Sequence, residues 1–190
     1  MSQDAAIVGI SDHGGWAVLV TVGADGVVLD SRRVELVDED LPSIPHHHEA
    51  QKLPLDEALD LVERVRLSAQ QHSRLCFDAI EASMPSRIVG VALRRLQPLP
   101  PTVAERLQNY RARNVADWVM YRNELAEAAR LRGWTVHWFD TKTVFRDAAA
   151  MLHVEDLDGH FAQAKQLFGP PWTQDHRLAM AAGVAAARPT

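Results

Sequence analysis

Three apolar, β-branched segments follow one another at the start of the chain, with only short glycine-containing connections between them. These segments are residues 6–10, 16–22 and 27–37. The first connection contains the sequence His13-Gly14-Gly15, and the second runs from Gly23 to Gly26. Glycine adopts the positive φ angles that tight turns require, and strands joined so closely pair with each other. The start of the chain therefore predicts an antiparallel meander of three strands.

The next part of the chain contains a loop, a helix and a short strand. Residues 38–52 are polar, contain two prolines and lack a regular period, which is typical of a loop. Apolar residues at helical spacing follow Pro54, which suits the first turn of a helix. The apolar run at residues 75–80 predicts the fourth strand. Residues 87–96 fit either a buried strand or a helical turn, because periodicity does not separate the two in so short a run.

The second half of the chain is mainly helical and contains one further strand. Thr102 and Glu105 form a capping-box pattern at the start of a long helix that ends at Gly133. Residues 134–139 predict the fifth strand. Shorter helices are predicted for residues 143–152, 159–168 and 174–187. The element order β-β-β-α-β-α-β-α predicts one α/β domain over residues 1–190, with a mixed five-stranded sheet covered by helices.

Composition restricts the environment in which such a domain works. Of the 190 residues 47% are hydrophobic, which is enough for a substantial core, and the single cysteine, Cys76, suits a reducing compartment. The sequence has neither a basic leader segment nor an apolar stretch of the roughly 18 residues that a membrane span needs. We therefore expect a cytoplasmic protein without a membrane partner. The net charge of −5 argues against a general nucleic-acid coat, although arginines are concentrated in residues 87–95 and 106–122.

Four segments along the chain match the sequence pattern of a known family. In chain order they are IVGISDHGGWAVL, FDAIEAS, GWTVHWFDTKTVFRDAAAML and QDHRLAMAAGVAAA. They resemble, respectively, the first hairpin, the fourth strand, the fifth strand with its following helix, and the final helix of RuvC-type Holliday-junction resolvases. The resemblance implies the ribonuclease-H-like fold. It also implies a homodimer and a nucleic-acid partner.

The resemblance further implies a metal centre built from carboxylates. Asp12, Glu81 and Asp175 take the metal-binding positions of the family, with His176 beside the last of them. Two Mg²⁺ or Mn²⁺ ions held by such carboxylates activate a water molecule and neutralise the charge that develops on a phosphodiester. In this scheme Asp12 bridges both ions, and His176 positions or deprotonates the attacking water. The implied activity is that of a metal-dependent endonuclease or phosphodiesterase, a hydrolase.

Asp12 departs from the family pattern by one residue. It follows the sequence GIS where the family has GI, and one step along a strand turns a side chain to the opposite face. Only a bulge or an early end of the strand would direct Asp12 into the site. Each acid also has an ordinary structural explanation, in a turn, at a strand end or in the first turn of a helix. The alternative function is therefore a catalytically inactive protein of the same fold that acts as an interaction or binding module.

Further candidate residues surround the implied site. Arg113 and Asn114 lie on the polar side of the long helix, where a guanidinium group pairs well with phosphate oxygens, although a solvated face with ion pairs has the same pattern. Trp172 is predicted to line the substrate pocket beside Asp175.

Histidines in two loops are candidates for an additional metal ligand. His13 lies in the first predicted turn, and His47 lies in the run of three histidines at residues 46–48. Imidazole binds Zn²⁺ or Mn²⁺, but adjacent histidines in an extended loop point in different directions. The histidine run therefore also fits an ordinary loop.

Overall fold

A mixed five-stranded sheet lies between two layers of helices in the computed structural model, which describes residues 5–187. The strands are β1 (Ala5–Asp12), β2 (Trp16–Gly23), β3 (Val28–Glu35), β4 (Arg87–Arg94) and β5 (Thr135–Phe139). Their order across the sheet is β3-β2-β1-β4-β5. The first three strands pair antiparallel, whereas β4 is parallel to both β1 and β5. The predicted meander and the mixed five-stranded sheet are confirmed.

Residues 5–187 include six α-helices that cover the two faces of this sheet. They are α1 (Leu55–Ser83), α2 (Val103–Gln108), α3 (Tyr110–Arg130), α4 (Val144–Leu152), α5 (Asp158–Phe168) and α6 (Gln174–Ala186). A short 3₁₀ helix at Glu49–Lys52 interrupts the long loop before α1. Across residues 5–187, none of the helices is both long and apolar enough to cross a membrane.

The predicted strand at residues 75–80 is wrong, because these residues belong to α1. Neither proline nor glycine occurs between Pro54 and Pro85, so nothing in the sequence interrupts the helix. Cys76, Phe77 and Ile80 continue its buried stripe at helical spacing. The fourth strand is instead β4, which resolves the ambiguity of residues 87–96 in favour of a strand.

The predicted long helix begins as expected and is then interrupted. Both hydrogen bonds of the capping box between Thr102 and Glu105 are present at the start of α2. Asn109 has a non-helical backbone, with φ −105° and ψ 111°, and separates α2 from α3. Its side chain accepts a hydrogen bond from the amide of Ala112 at 3.1 Å, so Asn109 acts as the N-cap of α3.

Side chains of β1 alternate between two separate cores. Ala6, Val8 and Ile10 pack with α1 and α3 on one face of the sheet. Ile7 packs with α4, α5 and α6 on the other face. This period of two is the usual geometry of a central strand, and it decides which helix layer each polar residue at the end of β1 meets.

Helix α6 lies directly against the backbone of β1. A Cβ atom at Gly9 would overlap the carbonyl oxygen of Ala179 and would lie 2.6 Å from the amide nitrogen of Gly183. Only glycine allows the strand and the helix to approach this closely. The contact places the N-terminus of α6 beside the carboxyl end of β1, where the candidate site lies.

Candidate functional site

Asp175, in the first turn of α6, is joined to the end of β1 by two hydrogen bonds. The hydroxyl of Ser11 donates to its Oδ1 at 2.8 Å, and His13 Nε2 donates to the same oxygen at 2.7 Å. Partial burial opposes ionisation of Asp175, but the hydrogen bonds from His13 and Ser11 outweigh it, so the pKa of this carboxyl is lowered. Asp175 is therefore an ionised carboxylate with one oxygen already occupied by protein donors.

Asp12, the last residue of β1, points into the opposite layer of the protein. Its Oδ2 accepts a hydrogen bond from Arg122 Nε of α3 at 2.7 Å, and both side chains are almost completely buried. Burial raises the pKa of Asp12, and the charges of Arg122 and Arg94 oppose that rise. The carboxylate of Asp12 is thus compensated by guanidinium groups inside the protein.

Asp12 and Asp175 consequently lie on opposite faces of the sheet. Strand β1 stays regular to its end, where Ser11 pairs with Val18 and Asp12 pairs with Ala17. The register shift of β1 is at Ala6, at the other end of the strand. Neither a bulge nor an early strand end redirects Asp12, and the residue that faces Asp175 is Ser11.

Glu81 lies far from both aspartates. It belongs to the C-terminal part of α1 and not to the fourth strand, its side chain is 46% exposed, and Arg132 Nε lies 3.5 Å away. Helix α1 ends where β4 begins, and the first residue of β4 pairs with Ala5 of β1. The length of β1 separates this edge of the sheet from Asp12 by about 23 Å, at roughly 3.3 Å per residue. The predicted convergence of the three carboxylates is therefore wrong.

The charge at the carboxyl end of β4 is the reverse of the one expected there. The strand ends at Arg94, and Arg95 follows it, where the metal scheme requires an acid. Within residues 5–187 no group of three or more histidine, cysteine, aspartate or glutamate side chains is arranged to hold a metal ion. Asp12, Glu81 and Asp175 do not fit a two-metal centre that needs several carboxylates around adjacent cations.

His176 has a structural role in the first turn of α6. Its Nδ1 accepts a hydrogen bond from the amide of Thr173 at 3.1 Å, as the acceptor of a capping box. Burial lowers the pKa of His176, and the charge of Asp175 opposes this shift. The ring is therefore neutral near pH 7, and its Nδ1 lone pair is occupied by the cap.

A stack of flat side chains beside Asp175 is a feature that sequence reasoning missed. The ring of His13 lies parallel to that of Trp16 with 4.0 Å between their centroids, and the guanidinium of Arg33 lies 4.2 Å from the Trp16 ring centroid. Trp16 pairs with Glu35 and Val18 pairs with Arg33 across β2 and β3, which makes Arg33 a diagonal neighbour of Trp16. The positions of Gly14 and Gly15 in the hairpin turn are the sequence signal that could have placed His13 beside Trp16.

A cavity of about 300 Å³ lies between this stack and the segment that precedes α6. The residues that line it include Trp16, Arg32, Arg33, Trp172, Asp175 and His176. Trp172 and Asp175 thus line the same cavity.

Arg113 and Asn114 lie on α3, which packs on the sheet face opposite α6. Arg113 Nη1 donates to Gln51 Oε1 at 2.8 Å, and Asn114 is half-buried. Neither residue lines the cavity beside Asp175.

The histidine run is anchored to α3. His46 is buried with its Nδ1 at 2.7 Å from Asp117 Oδ1, and the backbone amides of His46 and His47 both donate to the Asp117 carboxylate. These bonds hold the loop before α1 on the layer opposite Asp175. Within residues 5–187 His47 belongs to no group of side chains arranged to hold a metal ion, so the prediction of His47 as an additional metal ligand is wrong, whereas His13 contacts Asp175.

Comparisons with known proteins support the fold. No family model and no curated protein matches the sequence. The structure is similar to that of T. thermophilus RuvC in complex with a Holliday junction substrate, with a TM-score of 0.54, 13% sequence identity, and coverage of 96% of this chain and 92% of that one. It also matches Thermus thermophilus RuvC with a TM-score of 0.48, 12% identity, and coverage of 96% and 93%. The first of these matches shows that the chain shares the ribonuclease-H-like fold of that RuvC structure.

Proposed function

We propose that this chain is a catalytically inactive protein with a ribonuclease-H-like fold that binds nucleic acid. The absence of catalysis rests on one observation: the side chains of the adjacent residues Ser11 and Asp12 point to opposite faces of the sheet. The last-helix carboxylate, Asp175, meets a hydroxyl and an imidazole. The first-strand carboxylate is buried against Arg122 on the other side of the sheet. Two carboxylates separated in this way cannot hold a shared cation.

Two further observations support nucleic acid as the partner. In open α/β sheets, ligands bind outside the carboxyl ends of the strands, and Arg94 and Arg95 occupy that position on β4. The side chain of Arg95 is exposed, and guanidinium groups pair bidentately with phosphate oxygens. The RuvC of similar fold is bound to a Holliday junction, which is itself a nucleic acid.

Binding and cleavage are tested together with fluorescently labelled oligonucleotides. Fluorescence anisotropy with single strands, duplexes and four-way junctions should show binding that weakens as salt rises and that EDTA does not change. Gel analysis with Mg²⁺ or Mn²⁺ should show no cleavage. Arg95→Gln should weaken binding, and Arg130→Gln, at an exposed position on α3, is the matched control. Absence of binding to all three probes would contradict the proposal.

A metal-dependent nuclease is the second candidate function. The observation that favours it is the accessible Asp175–His13 pair, with side chains 27% and 36% exposed, at the last helix of a RuvC-type fold. Mn²⁺-dependent cleavage that Asp175→Asn abolishes would establish this candidate in place of the first. The homodimer implied by the resemblance stays a prediction, and sedimentation of the purified chain tests it.

A further inference from the structure

The cavity beside Asp175 has flat aromatic walls. Trp16, the first residue of β2, and Trp172, in the segment that precedes α6, both line it. Trp172 is itself supported by Phe168 and His176, with centroid distances of 6.4 Å and 5.1 Å. The volume of about 300 Å³ is at the lower end of the range for small-molecule sites. Two supported indoles around a small space suit a flat, aromatic ligand.

Two polar atoms of the residues that line this cavity lack hydrogen-bond partners among residues 5–187. Trp172 Nε1 is a buried donor, and no atom of residues 5–187 accepts a hydrogen bond from it. Asp175 uses Oδ1 for both of its hydrogen bonds, so that its Oδ2 keeps its lone pairs within the described part of the chain. Asp175 therefore offers one charged acceptor to whatever occupies the cavity, whereas Trp172 Nε1 is buried away from it.

Arg33 supplies an exposed positive charge at the rim. Its side chain is 56% exposed and forms an ion pair with Glu35 at 3.0 Å, an exposed pair of the kind that contributes little to stability. The guanidinium can therefore leave the ring of Trp16 at small cost. Once displaced, it can cover the outer face of a flat ligand or pair with an attached phosphate.

We propose that this cavity binds one unstacked nucleobase that carries an amino group. The base lies between Trp16 and Trp172, its amino group donates to Asp175 Oδ2, and its phosphate lies beside Arg33. Adenine, cytosine and guanine carry such an amino group, whereas thymine and uracil do not. This inference rests on the proposed function and deepens it, because a base is available to the cavity only in a single strand, in an unpaired region or in a free nucleotide.

The amino group is tested without changing the protein. Quenching of tryptophan fluorescence is titrated with adenosine monophosphate and with purine riboside monophosphate, which differs only by the missing amino group. We expect the adenine nucleotide to bind at least about fivefold more tightly, since the loss of one hydrogen bond to a charged acceptor corresponds to at least that factor. Equal affinity for the two nucleotides would overturn the assignment of Asp175.

The stacking is tested with one variant and one control. Trp172→Leu should weaken binding of oligo(dA) at least about fivefold, the lower end of what one base–aromatic stack contributes. Trp118→Leu removes an indole from α3, on the other face of the sheet, and should leave the affinity unchanged. Circular dichroism of both variants checks that each is folded, and unchanged affinity in a folded Trp172→Leu protein would overturn the inference.

Comparing probes distinguishes a single strand from a free nucleotide as the source of the base. It also distinguishes failure of the base-binding cavity from failure of the nucleic-acid function. Binding of oligo(dA) through Trp172 supports a single strand as the source. Binding of adenosine monophosphate alone supports the cavity and contradicts the nucleic-acid function. Binding of duplexes and junctions that Arg95→Gln weakens and Trp172→Leu does not supports the nucleic-acid function and overturns the cavity. Binding of none of these probes contradicts both.

Discussion

Removal of Arg122 tests whether Asp12 is a structural ion-pair partner or a metal ligand. Asp12 is completely buried, its partner is 2.7 Å away, and its Oδ1 has no hydrogen bond within residues 5–187. Arg122→Met therefore leaves a buried carboxylate whose nearest compensating charge is Arg94. Loss of one partner of a buried ion pair lowers the free energy of unfolding by about 3–5 kcal/mol. Asp12→Asn should lower it by a similar amount, because it leaves the guanidinium of Arg122 buried without its carboxylate.

The double variant makes this test quantitative. The double variant Asp12→Asn, Arg122→Met removes both charges of the buried ion pair. Its loss of stability should therefore be clearly smaller than the sum of the losses of the two single variants. Urea unfolding followed by circular dichroism, in EDTA and again in millimolar Mn²⁺, gives the free energies of unfolding. The three losses should be the same in both solutions. An Asp12→Asn protein that is as stable as the wild type in EDTA, but fails to gain stability from Mn²⁺ when the wild type does, would refute this reasoning.

Three more outcomes are expected. Burial lowers the pKa of His176 in the folded protein, so below pH 6.5 the unfolded chain binds a proton that the folded protein does not, and the free energy of unfolding should fall as the pH drops from 7 to 5. The fall should be smaller in His176→Asn, whose side chain still accepts a hydrogen bond from the amide of Thr173. Urea unfolding at each pH measures both. Gly9→Ala should lower the free energy of unfolding by at least about 3 kcal/mol, because the new Cβ would overlap backbone atoms of α6. Gly159→Ala in α5 is the control, since a Cβ there meets open space, and it should leave stability unchanged or raise it by up to about 1 kcal/mol in the same assay. Ser11→Asp places a second carboxylate beside Asp175, so Mn²⁺ should raise the melting temperature of this variant and not that of the wild type. No rise in the variant would show that the two carboxylates alone do not bind the cation.

The elements that sequence analysis located correctly are those whose signals are local. The glycine turns of the meander and the capping box at Thr102 and Glu105 depend on neighbouring residues, and both are confirmed. Residues 75–80 were misassigned because the matched motif FDAIEAS is short, whereas the helical period to which it belongs extends over the whole of α1. The absence of proline and glycine from residues 55–84 is the sequence signal of this uninterrupted helix.

The candidate site depends on relations between distant segments, and a single sequence carries little information on them. The one-residue departure of Asp12 was visible, but its outcome depended on the regularity of β1 and on the guanidinium of Arg122, 110 residues later. The stack of His13, Trp16 and Arg33 requires the register of two strand pairs. Local patterns therefore predicted the three-stranded meander, whereas strand register decided which side chains meet.

Because β1 is regular to its end, a change of one residue in its length turns each following side chain to the opposite face of the sheet. Loss of Ser11 would advance Asp12 by one place and move a carboxylate from the guanidinium-bearing layer to the layer of Asp175, with the rest of the strand unchanged. Such a deletion would remove the internal ion pair, leave Arg122 buried without its carboxylate, and place a second acidic side chain beside Asp175. A change of one residue at this edge therefore moves a carboxylate between the two sides of the sheet, while the order of the strands stays the same.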